Sequence, residues 1–120
     1  KIIDKNIRDL LNEVQPNTIG EVYLNSIDQD GTGQGYDLNM LNLLPLDWSI
    51  PVILSGGAGN ASHMKEGLSD NRVDAVATAH LFNFVGDGIQ EARKSILSSG
   101  YNLASWPTVE EFKHNLKKQI

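Results

Sequence analysis

Three short apolar segments alternate with segments of helical periodicity along this chain, and this alternation constrains its fold more than any other feature. The apolar segments cover residues 21–27, 50–54 and 73–79, and they are rich in the aliphatic side chains of buried strands. Successive strands begin roughly 25 to 30 residues apart, as βαβ units require. The sequence therefore predicts a parallel sheet, either doubly wound or closed into a (β/α)8 barrel.

Apolar residues that repeat at three- and four-residue spacing predict the helices. They are expected over residues 3–14, 38–44, 60–68 and 89–97. Asp37 is the predicted N-cap of the second helix, and Asn60 or Ser62 that of the third. Gly100 is the predicted stop of the fourth, and Thr108 begins a last one. We expect residues 1–100 to form a barrel segment and residues 101–120 a helical extension.

Composition narrows the class of partner. The chain has 120 residues, of which 40% are hydrophobic, so it can form one domain or part of one. Its net charge of −5 argues against nucleic acid as a partner, whereas a phosphorylated small molecule can still bind to backbone N–H groups.

No apolar stretch is long enough to span a membrane. The absence of cysteine excludes disulfides and thiol chemistry, and we expect a reducing cytoplasm. Since Lys1 directly precedes a helical pattern, we expect a fragment of a longer protein.

Each predicted strand ends in polar residues or glycine. These ends cover residues 26–32, 55–59 and 78–80. Ligands bind at the carboxyl edge of parallel α/β sheets, so the three ends predict one common site. The candidate ligand-binding residues at these ends are Asp28, Gly31, Thr32, Ser55, Gly56, Gly57, Ala79 and His80, with Asp30 as a candidate general acid or base.

Asp28 and Asp30 are two residues apart, so an extended backbone would direct both carboxylates to the same side. Mutual repulsion would then raise the pKa of one of them, as a general acid or base near neutral pH requires. The alternative is that Asp30 and Gly31 form a turn and that Asp28 caps its own loop.

The run of residues 55–59, Ser-Gly-Gly-Ala-Gly, predicts a loop whose backbone can approach an anion closely. The alternative is a tight strand-to-helix connection without a ligand. Neither the dinucleotide-binding pattern nor the Walker A pattern is matched, and no cofactor is predicted.

The histidines lack metal-ligand spacing, and no metal site is predicted. His63 and His114 are interpreted as solvated helix residues, whereas His80 ends the third strand, where it could donate to a phosphate. Tyr101 and Trp106 are interpreted as part of an aromatic packing patch.

The run of residues 20–32, followed by Gly35-Tyr36-Asp37 and by residues 51–59, resembles strands six and seven of the cyclase subunit (HisF) of imidazole glycerol phosphate synthase. The resemblance extends in order from Gly20 to Phe84. It implies the C-terminal half of a (β/α)8 barrel. In that family, ammonia from a partner glutaminase (HisH type) is used to cyclise a phosphoribosyl-formimino aminoimidazole carboxamide ribonucleotide to imidazole glycerol phosphate, in histidine biosynthesis.

The resemblance also assigns roles. Asp30 matches the second catalytic aspartate, and Asn25 matches a polar residue at the reaction centre. Asp30, Gly31, Ser55, Gly57, Ala79 and His80 fall where the family holds a substrate phosphate. The first catalytic aspartate belongs to strand one, so we expect these 120 residues alone to be inactive.

Two positions depart from the family pattern, which commonly has Ser at His80 and His at Asn83. They leave open a paralogue that relays ammonia to a sugar amidotransferase in surface-polysaccharide synthesis, and a phosphate-binding half-barrel without catalysis is a third alternative. Half a barrel exposes strand edges, so we expect it to pair either with the N-terminal half-barrel or with a second copy of itself.

Overall fold

The computed structural model describes residues 6–79 and 88–104 of the chain. Helices and strands alternate throughout this part, as predicted. In chain order the elements are helix α1 (Ile7–Glu13), strand β1 (Val22–Asn25), a 3₁₀ helix (Leu38–Leu43), strand β2 (Val52–Ser55), helix α2 (Ala61–Ser69), strand β3 (Ala75–Val76) and helix α3 (Gly88–Ser98).

The three strands form one parallel sheet in the order β1-β2-β3, which confirms the predicted strand direction. β3 contains two residues, whereas the predicted strand covers residues 73–79. Backbone hydrogen bonds to β2 nevertheless continue beyond both ends of these two residues. The amide of Asp74 donates to the carbonyl of Val52 at 3.0 Å, and that of Ala77 donates to Leu54 at 2.9 Å. β1 ends at Asn25, two residues earlier than predicted.

One face of the sheet carries the buried core. Leu24, Val52 and Leu54 are at most 4% exposed, and they pack with Leu41 of the 3₁₀ helix and with Val73. Right-handed crossovers between strands in sequential order place their helices on the same side of a sheet, which explains why only one face is covered.

The opposite face of the sheet carries Tyr23 and Asn25 from β1, Ile53 and Ser55 from β2, and Ala75 from β3. We call these five residues the interior face. None of them belongs to the buried core cluster, and Tyr23 is 58% exposed. The polar members, Asn25 and Ser55, are neighbours in the sheet register at its carboxyl edge.

The helix caps follow the sequence closely. The side chain of Asp37 accepts from the Asn39 amide at 3.1 Å, but the helix that it caps is a 3₁₀ helix instead of the expected α-helix. Six residues that end before Pro45 give little room for α-helical bonding, and 3₁₀ geometry is common in such short connections. Asn60, and not Ser62, is the N-cap of α2.

Helix α3, the fourth predicted helix, ends at Gly100 as predicted. Gly100 has a φ of +87°, and its amide donates to the Leu97 carbonyl at 3.0 Å. The predicted helix from Thr108 and the patch around Trp106 lie outside the described residues. Within residues 6–79 and 88–104, no helix has the length and apolar character to cross a membrane.

Candidate functional site

A cavity of about 290 Å³ opens at the carboxyl edge of the sheet. Residues from all three strand ends line it, so the predicted convergence of these ends is confirmed. Six of the predicted site residues contribute: Asn25, Asp30, Ser55, Gly56, Gly57 and Ala79. A larger cavity, of about 450 Å³, is lined by residues that precede β2 and β3, including Trp48 and Asp74. We place the site at the smaller cavity because parallel α/β sheets bind ligands at the carboxyl ends of their strands.

Three predicted site residues lie elsewhere. Asp28, Gly31 and Thr32 belong to the turn after β1 and do not line the cavity. The Thr32 hydroxyl donates to the Gln29 carbonyl at 2.8 Å, so it stabilises its own loop. His80 lies outside the described residues.

The backbone after β1 turns instead of continuing as a strand. The Asp30 amide donates to the carbonyl of Ser26 at 2.9 Å, and the Ser26 side chain, only 6% exposed, accepts from the Gln29 amide at 3.4 Å. Ile27, predicted to be a buried strand residue, is 85% exposed. The expected pair of carboxylates on one side of an extended strand is therefore wrong. Asp30 lines the cavity, whereas Asp28 is exposed in the turn.

Gly56 and Gly57 both have left-handed backbones, with φ of +90° and +101°. A Cβ atom on Gly56 would lie 2.5 Å from the Ser26 carbonyl oxygen, and one on Gly57 would overlap the carbonyl oxygen of Gly35. The Gly35 amide in turn donates to the Gly57 carbonyl at 2.8 Å. Contact between the loops after β1 and β2 thus requires these glycines, a reason that the sequence analysis did not anticipate.

The same loop offers unpaired backbone donors. Gly57 and Ala58 are buried, and their amides donate to no acceptor among the residues that the structure describes. Buried N–H groups without a protein partner are costly unless water or a ligand accepts from them. Helix α2 begins three residues after Ala58, so its dipole adds to the preference for an anion. The cavity can therefore bind an anionic group.

His63 is not the solvated helix residue that the sequence suggested. It is half-buried, and its Nδ1 atom accepts from the Gly59 amide at 3.2 Å. Its ring also packs beside Gly35, since a Cβ atom there would lie 3.6 Å away. His63 thereby joins the start of α2 to the loop after β1. Its place three residues beyond the N-cap Asn60 is the signal that could have revealed this contact.

Comparison with known proteins settles the family. The profile of the family described as "Histidine biosynthesis protein" matches residues 3–87. The chain belongs to this family. The predicted (β/α)8 barrel is confirmed, because the histidine biosynthesis family has this fold, and the doubly wound alternative is excluded. The interior face of the sheet is accordingly the barrel interior.

Two relatives are of the HisF type. The chain is 45% identical over 106 residues to the protein named "Putative imidazole glycerol phosphate synthase subunit hisF2" from Parasynechococcus marenigrum. The matched region covers 88% of this chain and 39% of the relative. The chain is also 40% identical over 88 residues to the imidazole glycerol phosphate synthase subunit HisF of Chlorobaculum tepidum. This match covers 73% of this chain and 35% of the relative. The chain thus spans less than two fifths of the length of these relatives.

Two tyrosines of this histidine biosynthesis family member contact residues that line the cavity, and neither is among the predicted site residues. The phenol of Tyr23 bonds to the Ser55 hydroxyl at 2.6 Å, and both residues line the cavity. Tyr36 donates to the carbonyl of Ala77, another lining residue, at 3.0 Å. Burial, and secondarily the nearby Tyr23, raises the pKa of Tyr36 above its usual value, so this phenol keeps its proton. Side chains alternate between the two faces of a strand, so Tyr23 shares a face with Asn25, and this spacing could have identified Tyr23 as a residue of the cavity.

Proposed function

We propose that this chain is the C-terminal barrel segment of an imidazole glycerol phosphate synthase cyclase subunit. The complete enzyme uses ammonia from a partner glutaminase to cyclise the ribonucleotide named above to imidazole glycerol phosphate. One observation carries the proposal: Asp30 lines the same cavity as Gly57 and Ala58, whose buried amides donate to no acceptor within residues 6–79 and 88–104, at the carboxyl edge of the sheet.

The cavity has the chemistry to bind a phosphate of the substrate. The Gly57 and Ala58 amides supply two N–H donors, and the Ser55 hydroxyl supplies a third polar group. None of these three donors carries charge, which agrees with a chain of net charge −5 that nevertheless binds an anion. Ala79 lines the cavity three residues after the end of β3, and the adjoining His80 is proposed as a further phosphate contact.

Asp30 is proposed as a general acid or base of the cyclisation. The bond from its amide to the Ser26 carbonyl holds its backbone in a turn, and the residue is exposed where it lines the cavity. A positioned acid or base contributes typically about 10² to 10⁴ in rate. Asn25, across the edge of the sheet from Ser55, is proposed to contact the reaction centre.

Both relatives carry the name of the cyclase, which favours the histidine pathway over relay of ammonia to a sugar amidotransferase. A glutaminase is accordingly the proposed protein partner. The cytoplasm is the proposed location, as expected for a sequence without cysteine.

The test is turnover by the complete barrel protein that contains these residues, with the ribonucleotide as substrate and an ammonium salt replacing the glutaminase. We expect imidazole glycerol phosphate as a product. Asp30→Asn should lower kcat by about 100-fold or more, because the amide cannot transfer the proton.

Asp28→Asn is the matched control, since Asp28 is two residues away, carries the same charge and does not line the cavity. Its kcat should stay within about twofold, as for most surface substitutions. Equal losses in the two variants would refute the role of Asp30. A wild-type protein that forms no imidazole glycerol phosphate would refute the cyclase itself.

A further inference from the structure

The hydrogen bond between Tyr23 and Ser55 determines what the Ser55 hydroxyl can offer to a ligand. The two oxygens are 2.6 Å apart, and Ser55 is 6% exposed. A serine hydroxyl has one proton to donate and two lone pairs to accept with. Which partner donates in this bond therefore decides whether Ser55 has a proton left for the cavity.

The phenol is the donor. Tyrosine, with an ordinary pKa near 10, is far more acidic than an aliphatic alcohol, so it is the better donor and the poorer acceptor of the two hydroxyls. Ser55 donates to no other acceptor among the residues that the structure describes. Its proton is consequently free for a group in the cavity that both residues line. Accepting from the phenol also polarises the serine hydroxyl and strengthens its own donation.

The geometry of the sheet explains why Tyr23 can do this. Tyr23 lies opposite Ile53 in the register, one row below the pair formed by Asn25 and Ser55. Its long side chain extends along the interior face and reaches the neighbouring strand one row up. Its ring is not packed in the core, and the residue is 58% exposed, so removing the hydroxyl leaves the buried cluster intact.

We propose that Tyr23 is a positioning residue, which holds the Ser55 hydroxyl as a hydrogen-bond donor to a phosphoryl oxygen in the cavity. This inference rests on the proposed function, since it deepens the account of the same phosphate site. A phosphate monoester dianion and inorganic phosphate share the acceptor oxygens that such a donor recognises.

The experiment is a double-mutant cycle on the complete barrel protein that contains these residues, with binding of inorganic phosphate measured by isothermal titration calorimetry. Loss of one hydrogen bond to a charged group predicts a roughly 10-fold weaker Kd for Ser55→Ala, and loss of its polarising partner predicts a roughly 3-fold weaker Kd for Tyr23→Phe. In the Ser55→Ala background, Tyr23→Phe should change the Kd by less than about 1.5-fold, because no hydroxyl remains to be positioned. The same 3-fold loss in both backgrounds would overturn the proposal.

Sulfate provides a readout that a merely structural role of Tyr23 would not move. Sulfate has no proton at neutral pH, so it can only accept, whereas phosphate can also donate. If Ser55 donates, sulfate should bind within a few-fold of phosphate, and Tyr23→Phe should weaken both. A preference for phosphate over sulfate of more than 10-fold that disappears in Ser55→Ala would show that Ser55 accepts from the ligand, because the other candidate acceptor, Asp30, is unchanged in that variant, and it would overturn the proposal.

The outcomes separate this inference from the proposed function. Saturable phosphate binding with the expected coupling would support the role of Tyr23 even if the complete protein forms no imidazole glycerol phosphate. A wild-type chain without saturable phosphate binding would overturn the inference, while turnover by the complete protein would still be measured independently. Equal thermal midpoints of wild type and Tyr23→Phe serve as the folding control.

Discussion

Replacing Gly57 with alanine is the sharpest test of how the two loops at the site are built. The backbone there is left-handed, with φ of +101°, and an added Cβ atom would overlap the carbonyl oxygen of Gly35. Both features oppose any side chain. The variant should therefore lose stability through two separate physical causes, and the chain contains one glycine with only the first of them and one with neither.

The expected magnitude is the sum of these two costs. A left-handed backbone costs a residue with a Cβ atom about 1 to 2 kcal/mol. Forcing a methyl group into closely packed surroundings costs typically about 1 to 3 kcal/mol. We therefore expect Gly57→Ala to lower the free energy of unfolding by about 3 kcal/mol. At roughly 4 °C for each kcal/mol, the thermal midpoint should fall by roughly 10 to 15 °C.

Two control variants separate the contributions. Gly31 has φ of +78° but nothing within 4 Å of its Cβ position, so Gly31→Ala should show the backbone cost alone, about 1 kcal/mol. Gly20 has open space and no left-handed backbone, so Gly20→Ala should stay within about 0.5 kcal/mol of wild type.

Urea unfolding followed by circular dichroism measures all three variants. If Gly57→Ala were no less stable than Gly31→Ala, the contact between the loops after β1 and β2 would not constrain the site, and the structural reason given for the glycine would be wrong. The difference between these two variants is thus the deciding quantity.

Three further predictions concern other contacts. Tyr36→Phe removes the half-buried bond to the Ala77 carbonyl, so it should lower the free energy of unfolding by about 1 kcal/mol in urea titrations, and an unchanged value would contradict this role. Hydrogen bonds from Arg72 hold the pKa of Asp70 at about 2, below its ordinary 3.8, so the pair stabilises the fold above about pH 4 and less as the pH falls toward 2. Asp70→Asn should accordingly lower the free energy of unfolding by less than about 1 kcal/mol at pH 7, because the pair is solvent-accessible. Urea titrations at several pH values should show this difference from wild type shrinking below pH 4. The isolated chain should associate through its interior face, where Tyr23 is 58% exposed, and a strictly monomeric species in sedimentation velocity at micromolar concentration would refute this.

Much of the site could be predicted from the sequence because strand ends converge in any parallel α/β sheet. Convergence of the strand ends predicts Asp30, Ser55 and Gly57 at one edge of the sheet, the family resemblance adds Asn25, and all four line the cavity. The assignment of Asp28 failed because hydrogen bonds to Ser26 turn the backbone, and periodicity does not report such bonds.

Local chemistry in the sequence was sufficient to determine the element order, the cap at Asp37 and the stop at Gly100, and it limited the cap of α2 to Asn60 or Ser62. These features depend on contacts between residues a few positions apart, so the order of residues contains them. Tertiary structure alone decided that Gly57 must be glycine to pass Gly35, and that Tyr23 reaches Ser55. Such contacts join atoms 22 and 32 residues apart, and only the packing of one strand and loop against the next brings them within a few ångströms.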